Sequence, residues 1–264
     1  MKKVSKVLLT AVLAVAVAGC SGSGSADTSK DHLARIKEAG VLKVGLEGDW
    51  QPFSYETADG ELVGYDVEVA KGIAEYLGVK IEITPTPWDG LFLAMESDVI
   101  DMVVNGVDIT EERSKTYDFS DPYAYDHTVL IVRDDNTEIK SFEDLKGKKT
   151  ANSIGSTYME LGEQYGAEVN GVDTLGETLD LVKNGKVDAT INAQSSFEDY
   201  MKNEGGPFIV VDEAAGTAYG IPLVKGDDNA SLRAEINKAL ADMRDSGKLA
   251  ELSVKYFGDD RTNP

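Results

Sequence analysis

Asp108 and Arg113 stand five residues apart in the stretch NGVDITEER, which runs on into SKTYDFSDPY. A carboxylate and a guanidinium at this spacing can hold a small charged molecule or hold each other. The guanidinium suits a carboxylate partner because its fork donates twice and never loses its charge. On spacing alone, the plainer reading puts Arg113 on a solvated helix face beside Glu111 and Glu112, with Asp108 capping the following turn. Trp50 in GDWQPF and Trp88 in TPWDGL are the only tryptophans. Their surroundings are polar and loop-like, so either indole could pack on a ligand, although a core role is the commoner use. Enzyme chemistry has little to work with. His32 and His127 are the only histidines, and neither falls in an expected pocket loop. No GxSxG nucleophile motif is present, and no His/Cys cluster could bind a transition metal, so neither catalytic residue, metal nor cofactor is expected.

The elements that must position these groups alternate. Helices are expected at 32–39, 66–77, 91–96, 142–146, 157–165, 175–184 and 195–203, with a C-terminal pair carrying Leu232, Ile236, Leu240 and Met243 and then Leu249–Tyr256. Between them, strands are expected at 41–46, 80–84, 100–105, 128–133, 148–153, 187–192, 207–211 and 219–224. Within 66–77, Val67, Ala70, Ile73, Ala74 and Leu77 recur at helical spacing, and Gly78 closes the run. Strands alternating with helices imply an α/β fold with mostly parallel sheets covered on both faces, and the number of units implies two lobes. In such sheets, ligands sit at the carboxyl ends of strands. That rule singles out the loops after 41–46, 100–105, 148–153 and 187–192.

The chain has 264 residues, 42% of them hydrophobic and 28% charged, with a net charge of −21. The size suits a substantial core, and the acidity argues against nucleic acid as a partner. At the N-terminus, Lys2, Lys3 and Lys6 precede an apolar run, Val7–Val17, that is too short to span a bilayer. Small residues then lead to Cys20, the only cysteine, in VAGC. This stretch resembles a bacterial lipobox. It implies a signal peptide over residues 1–19, lipidation of Cys20 and a flexible tether over 20–30, with the protein held at the outer face of the cell membrane. An ordinary secretory signal with an incidental cysteine is the alternative.

Further pieces carry a second resemblance. LKVGLEGDWQPFSY, ELVGYDVEVAKGIAEYLG, TEERSKTYDFSDPYAY, FEDLKGKK, NGKVDATIN and LRAEINKALADMRDSGKLAELSVKYFG occur in an order and spacing similar to family 3 of the extracellular solute-binding proteins, the polar amino-acid receptors of ABC importers. The resemblance implies a two-lobed periplasmic-binding-protein-like fold joined by two crossings: 31–126 plus 219–264 as lobe 1 and 127–218 as lobe 2. It implies that Arg113 pairs with a ligand carboxylate, that Asn105 and Gly106–Asp108 line the same subsite with backbone N–H groups, and that Trp50 and Trp88 pack on the ligand. From lobe 2 it brings Ser156 and Thr157 at a helix start, with Ser153, Tyr158 and Asn192 nearby and Glu47 facing them from lobe 1. Partners implied are an amino acid, with cystine favoured by TANSIGSTY and DATINAQSSFEDYM, and an ABC permease; a monomer is expected.

Two positions depart from the family pattern. Asp108 stands where many members have Ser or Thr, and Ala193 stands where an ammonium-binding aspartate is usual. The expectation is that Asp108 takes over the ammonium. A same-fold dehydratase-like enzyme and a ligand-sensing module are the alternatives to transport.

Overall fold

The structure is a computed structural model and describes residues 31–264. Cys20, the signal segment and the tether lie outside the described residues. Among the described residues no helix is long and apolar enough to cross a membrane.

α1 (His32–Ala39) starts at Asp31, whose carboxylate accepts from the Ala34 N–H at 2.8 Å, and stops at Gly40 in the left-handed conformation. β1 (Val41–Leu46) follows and becomes the centre of a three-stranded parallel sheet. After it come a small antiparallel meander, β2 (Asp49–Trp50), β3 (Ser54–Glu56) and β4 (Leu62–Val63), and then α2 (Tyr65–Leu77). β5 (Lys80–Pro85) pairs with one edge of β1 and β6 (Met102–Val103) with the other, with α3 (Trp88–Glu96) between them in sequence. α2 buries Val69, Ala70, Ile73 and Leu77, one face of its 3.6-residue period, in the main core. Removing a side chain such as Ile73 from water contributes roughly 2 kcal/mol. α4 (Glu111–Thr116) and β7 (Tyr117–Phe119) complete this half of the first lobe.

The second lobe is built from β8 (Ala124–Arg133), β9 (Lys149–Ser153), α5 (Thr157–Gln164), β10 (Glu168–Val172), α6 (Leu175–Lys183), β11 (Ala189–Ala193), α7 (Gln194–Asn203) and β12 (Phe208–Tyr219). Its sheet runs β10-β9-β11-β8-β12. β9 is parallel to β10 and β11, whereas β8 is antiparallel to both β11 and β12. The chain then returns through β13 (Pro222–Val224), which pairs with β7, to α8 (Ala230–Asp245) and α9 (Lys248–Phe257) on the first lobe. The two crossings form one antiparallel ribbon, with Ala124 opposite Tyr219 and Asp126 opposite Thr217.

Several expectations change. The 100–105 strand shortens to Met102–Val103, because the chain leaves the sheet there to form the loop carrying Asn105 and Asp108. The strands expected at 207–211 and 219–224 become a long β12 ending at Tyr219 and a separate β13; β12 continues because β8 pairs with it through the crossing. Helix 91–96 begins earlier, at Trp88, and 142–146 is a 3-10 turn, Phe142–Leu145. The second sheet is mixed, as a chain that enters and leaves it through neighbouring strands requires. β2, β7 and β10 were not expected, whereas β3 and β4 are the short extended pieces that a turn at Asp59-Gly60 implies.

Candidate ligand-binding site

Thr110 sets the geometry of the opening motif. Its hydroxyl accepts from the Arg113 N–H at 3.1 Å and so starts α4, placing Arg113 in the first turn. Just upstream, Ile109 N–H donates to Ala218 at 2.9 Å and Gly220 N–H donates to Val107 at 3.0 Å, which pins Asp108 against the end of β12. Its carboxylate is buried, 5% exposed. Oδ1 accepts from the Thr217 hydroxyl at 2.8 Å and Oδ2 from the Thr157 hydroxyl, with Arg113 Nη1 3.7 Å from the same oxygen. Burial pushes the Asp108 carboxyl up from its usual range, and the bonds from Thr157, Arg113 and Thr217 work against that shift. Arg113 lies 5.2 Å from the Trp88 ring centroid and 5.8 Å from that of Phe92, and its second Nη donates to the Gly155 carbonyl at 3.4 Å. Asp108–Thr157 and Arg113–Gly155 therefore join the two lobes across the cleft.

Beside this contact lies a pocket lined by residues of both lobes. Of the residues expected at the site, Trp50, Trp88, Asn105, Gly106, Asp108, Ser153, Ser156, Thr157, Tyr158 and Asn192 all face it. Arg113 does not; its guanidinium sits against Asp108, Gly155 and the Trp88 ring. Glu47, Asp49, Asp173, Thr174 and Leu175 complete the lining. Of these only Glu47 was anticipated. Asp49 sits in the singled-out loop after β1, so it could have been found. Asp173 follows β10, a strand half polar and interrupted by Gly171 that the pattern does not reveal.

Trp50 stacks on Phe53 with ring centroids 4.1 Å apart, and Gly106 makes room for it. A Cβ on Gly106 would lie 2.6 Å from the Trp50 ring, and its φ of +50° disfavours any other residue. The Gly106 N–H was expected to face the ligand; it donates instead to the Tyr123 hydroxyl at 3.0 Å, and that hydroxyl donates to Asp66 at 2.9 Å. Asp66 is fully buried, with Oδ2 lacking a hydrogen-bond partner, and burial pushes its carboxyl up to about 7.

Glu47 is tied to Asn105 from both directions. Glu47 N–H donates to the Asn105 side-chain oxygen at 2.8 Å, and the Asn105 amide donates to Glu47 Oε2 at 2.7 Å. Burial raises the Glu47 carboxyl to about 7, the Asn105 bond lowers it, and nearby Asp49 raises it further. Asp49 is itself raised, by burial first, with its backbone bond opposing and Asp173 across the cleft adding repulsion. In the second lobe, Ser156 caps α5, accepting from the Met159 N–H at 3.1 Å and donating to Ser153 O at 2.7 Å. Ser153 donates to Asp173 O at 3.4 Å, and the Asn192 oxygen accepts from Ala193 N–H at 2.9 Å. Burial and the Asp108 charge push the Tyr158 hydroxyl well above its ordinary range. His32 and His127 lie outside the pocket, and among the described residues no group of three His, Cys, Asp or Glu could hold a metal ion.

Several known proteins similar to this chain are solute-binding proteins. The L-cystine-binding protein TcyA of Bacillus subtilis is 36% identical over 267 residues, covering 98% of this chain and 99% of its own. An ancestral arginine-binding protein solved bound to arginine is 39% identical with a TM-score of 0.77, covering 83% of this chain and 99% of that one. The L-cystine solute receptor of Neisseria gonorrhoeae, unliganded and open, is 35% identical with a TM-score of 0.59, over 88% of this chain and 98% of that one. The lower score against an open receptor fits the contacts that close the cleft here. Residues 42–259 match the bacterial extracellular solute-binding proteins, family 3, and the chain belongs to that family.

Proposed function

We propose that the protein captures an amino-acid-like small solute between its lobes and hands it to an ABC permease. The observation that carries this reading is the composition of the pocket. Trp50, Trp88, Asn105 and Gly106 come from the first lobe and Ser153, Ser156, Thr157 and Asn192 from the second, so a ligand completes contacts that neither lobe can make alone. Closure is favoured to the extent that such contacts exist only in the closed state. The lobes divide at 31–126 plus 219–264 and 127–218, with the crossing ribbon as hinge. The site residues are those expected from the sequence, Glu47 among them, with Arg113 set behind Asp108 at the edge of the pocket and Asp49 and Asp173 added to the lining.

Cystine is the first ligand to test, because the Bacillus subtilis relative is an L-cystine-binding protein. The protein acts as a monomeric lipoprotein, Cys20 being acylated after removal of residues 1–19 and tethering it to the outer face of the membrane. It needs no cofactor. Mass spectrometry of whatever co-purifies, followed by calorimetry with a panel of amino acids, tests capture. Saturable binding with the ligand recovered unchanged is the expected result, and chemical conversion of the bound ligand would establish the dehydratase-like alternative. Intact mass of detergent-extracted protein tests the anchor: a diacylglyceryl adduct on Cys20 is expected.

A further inference from the structure

We infer that a second chamber of the cleft, between Trp50 and one face of α7, takes the positively charged far end of a long amino acid, with Asp199 as its partner. The inference rests on the capture reading and narrows its ligand. The α-carboxylate and α-ammonium end stays in the pocket already described.

The chamber has a volume of about 300 Å³ and shares Asp49, Trp50, Thr174 and Leu175 with that pocket, so one molecule can occupy both. Its first-lobe wall is the 49–51 stretch and much of its second-lobe wall is α7. Ser196, Asp199, Tyr200 and Asn203 line it at the i, i+3, i+4 and i+7 spacing of a single helix face. Simple solvation would account for a polar stripe on an open surface, but Ser196 is 1% exposed and its Oγ has no hydrogen-bond partner among the described residues. A buried hydroxyl left unpaired is unfavourable, and a ligand group that reaches it removes that penalty. Tyr200 is held in the wall by an edge contact with Phe208, ring centroids 6.2 Å apart. Asp199 is half-buried; its Oδ2 accepts from the Asn203 amide at 2.9 Å, which leaves Oδ1 for a ligand. Burial raises its carboxyl from the usual range, with the Asn203 bond and nearby Lys202 opposing the shift. Lys202 is not part of the wall. The charged side chains that line the chamber are Asp49, Asp199 and Glu204, with no lysine, arginine or histidine among them. Asp199 and Asn203 also lie in the C-terminal half of α7, where the last carbonyls favour a cation. An ammonium entering past Trp50 therefore meets acceptors and negative charge on both walls.

The test is calorimetry on the mature chain with two pairs that differ at the far end. Lysine is set against norleucine, which lacks the terminal ammonium, and cystine against S-methylcysteine, which lacks the second amino-acid half. The member carrying the far ammonium is expected to bind about tenfold or more tightly in at least one pair. An advantage for lysine alone makes the ligand a simple diamino acid, and one for cystine alone a disulfide-linked amino acid; either supports the inference. Asp199→Asn keeps the shape and removes the charge, so it should shrink that advantage about tenfold while norleucine and S-methylcysteine bind as before. Equal affinities within both pairs would overturn the inference and leave capture standing. An advantage that Asp199→Asn leaves intact would overturn the role given to Asp199. If neither pair binds, the inference fails, and the wider amino-acid panel decides capture by itself. The wild-type comparison decides whether the chamber is used even if the variant does not fold.

Discussion

Two buried aspartates face each other's chemistry across the crossing ribbon and are treated differently. Asp108 faces the pocket, and its guanidinium partner stands off at 3.7 Å while two threonine hydroxyls donate to it. Asp126 faces the C-terminal tail. It accepts directly from Arg261, from the Ser195 hydroxyl and from the His127 N–H. Arg261 also reaches Glu198 of α7 at 3.1 Å and Asp259 at 2.8 Å, and its carbonyl accepts from Tyr125 N–H at 2.8 Å. Burial raises both aspartates, and both are pulled back by an arginine. The tail-side pair is a direct contact that ties the first lobe's C-terminus to the crossing and to α7. The pocket-side pair is loose and depends on Thr157, which belongs to the other wall of the cleft. One pair holds the lobes at the hinge, and the other can answer to what sits between them.

The hinge pair should therefore carry stability and the pocket pair selectivity. Arg261→Ala leaves the Asp126 carboxylate buried without its guanidinium and should cost about 3 kcal/mol in urea unfolding, with ligand preference unchanged. A loss below about 0.5 kcal/mol would equate the hinge pair with an ordinary exposed ion pair. The next largest effect belongs to the pocket. Gly106→Ala forces a Cβ to within 2.6 Å of the Trp50 ring at a φ that side chains avoid, so Trp50 must move. Affinity for the best ligand should fall by about 2 kcal/mol in calorimetry, while the Asp126 side is untouched. Asp108→Asn should cost only about 1 kcal/mol of stability, because an amide oxygen still accepts from one threonine. If it destabilised as much as Arg261→Ala, the division of labour between the two pairs would be wrong.

The pocket side was far more legible in the sequence than the hinge side, for physical reasons. Trp50, Trp88, Gly106 and Ser156 belong to contiguous stretches that resemble the family's motifs, so a resemblance could place them. Helix periodicity found α2 and α8 because their buried faces repeat every turn. Arg261 lies in a tail with no periodic pattern, and its partners Asp126 and Glu198 are 135 and 63 positions away, so only the folded chain brings them together. The same limit applies within the site. The Gly106 N–H was assigned to the ligand, yet Tyr123, 17 residues on, takes it. Arg113 was expected to pair with a ligand carboxylate, and the folded chain sets it 3.7 Å from the Asp108 carboxylate. The family resemblance located the pocket's parts; which of them already satisfy one another was set by long-range pairing.

The smallest expected effect sharpens the comparison by pH. Glu47 and Asp66 lie in and under the pocket, and burial raises both carboxyls to about 7 from ordinary values near 4. Between those limits the folded chain binds protons that the unfolded chain has released. The stabilisation contributed by these two groups is thus fully present below about pH 4 and is lost as pH rises through about 7. Glu47→Gln removes one of these groups and should flatten the decline by on the order of 1 kcal/mol between pH 5 and pH 8, less than the full shift implies because the cleft admits water. Binding should run the other way. The ammonium of an amino acid favours ionised Glu47, so affinity should rise from pH 6 to pH 8, and calorimetry in buffers of differing ionisation enthalpy should record proton release. Glu47→Gln should abolish most of that release while leaving the Asp126–Arg261 pair intact. Proton uptake on ligand binding, or release unchanged in the variant, would move the titrating group away from Glu47 and leave the pocket's acidity without its main pH-sensitive member.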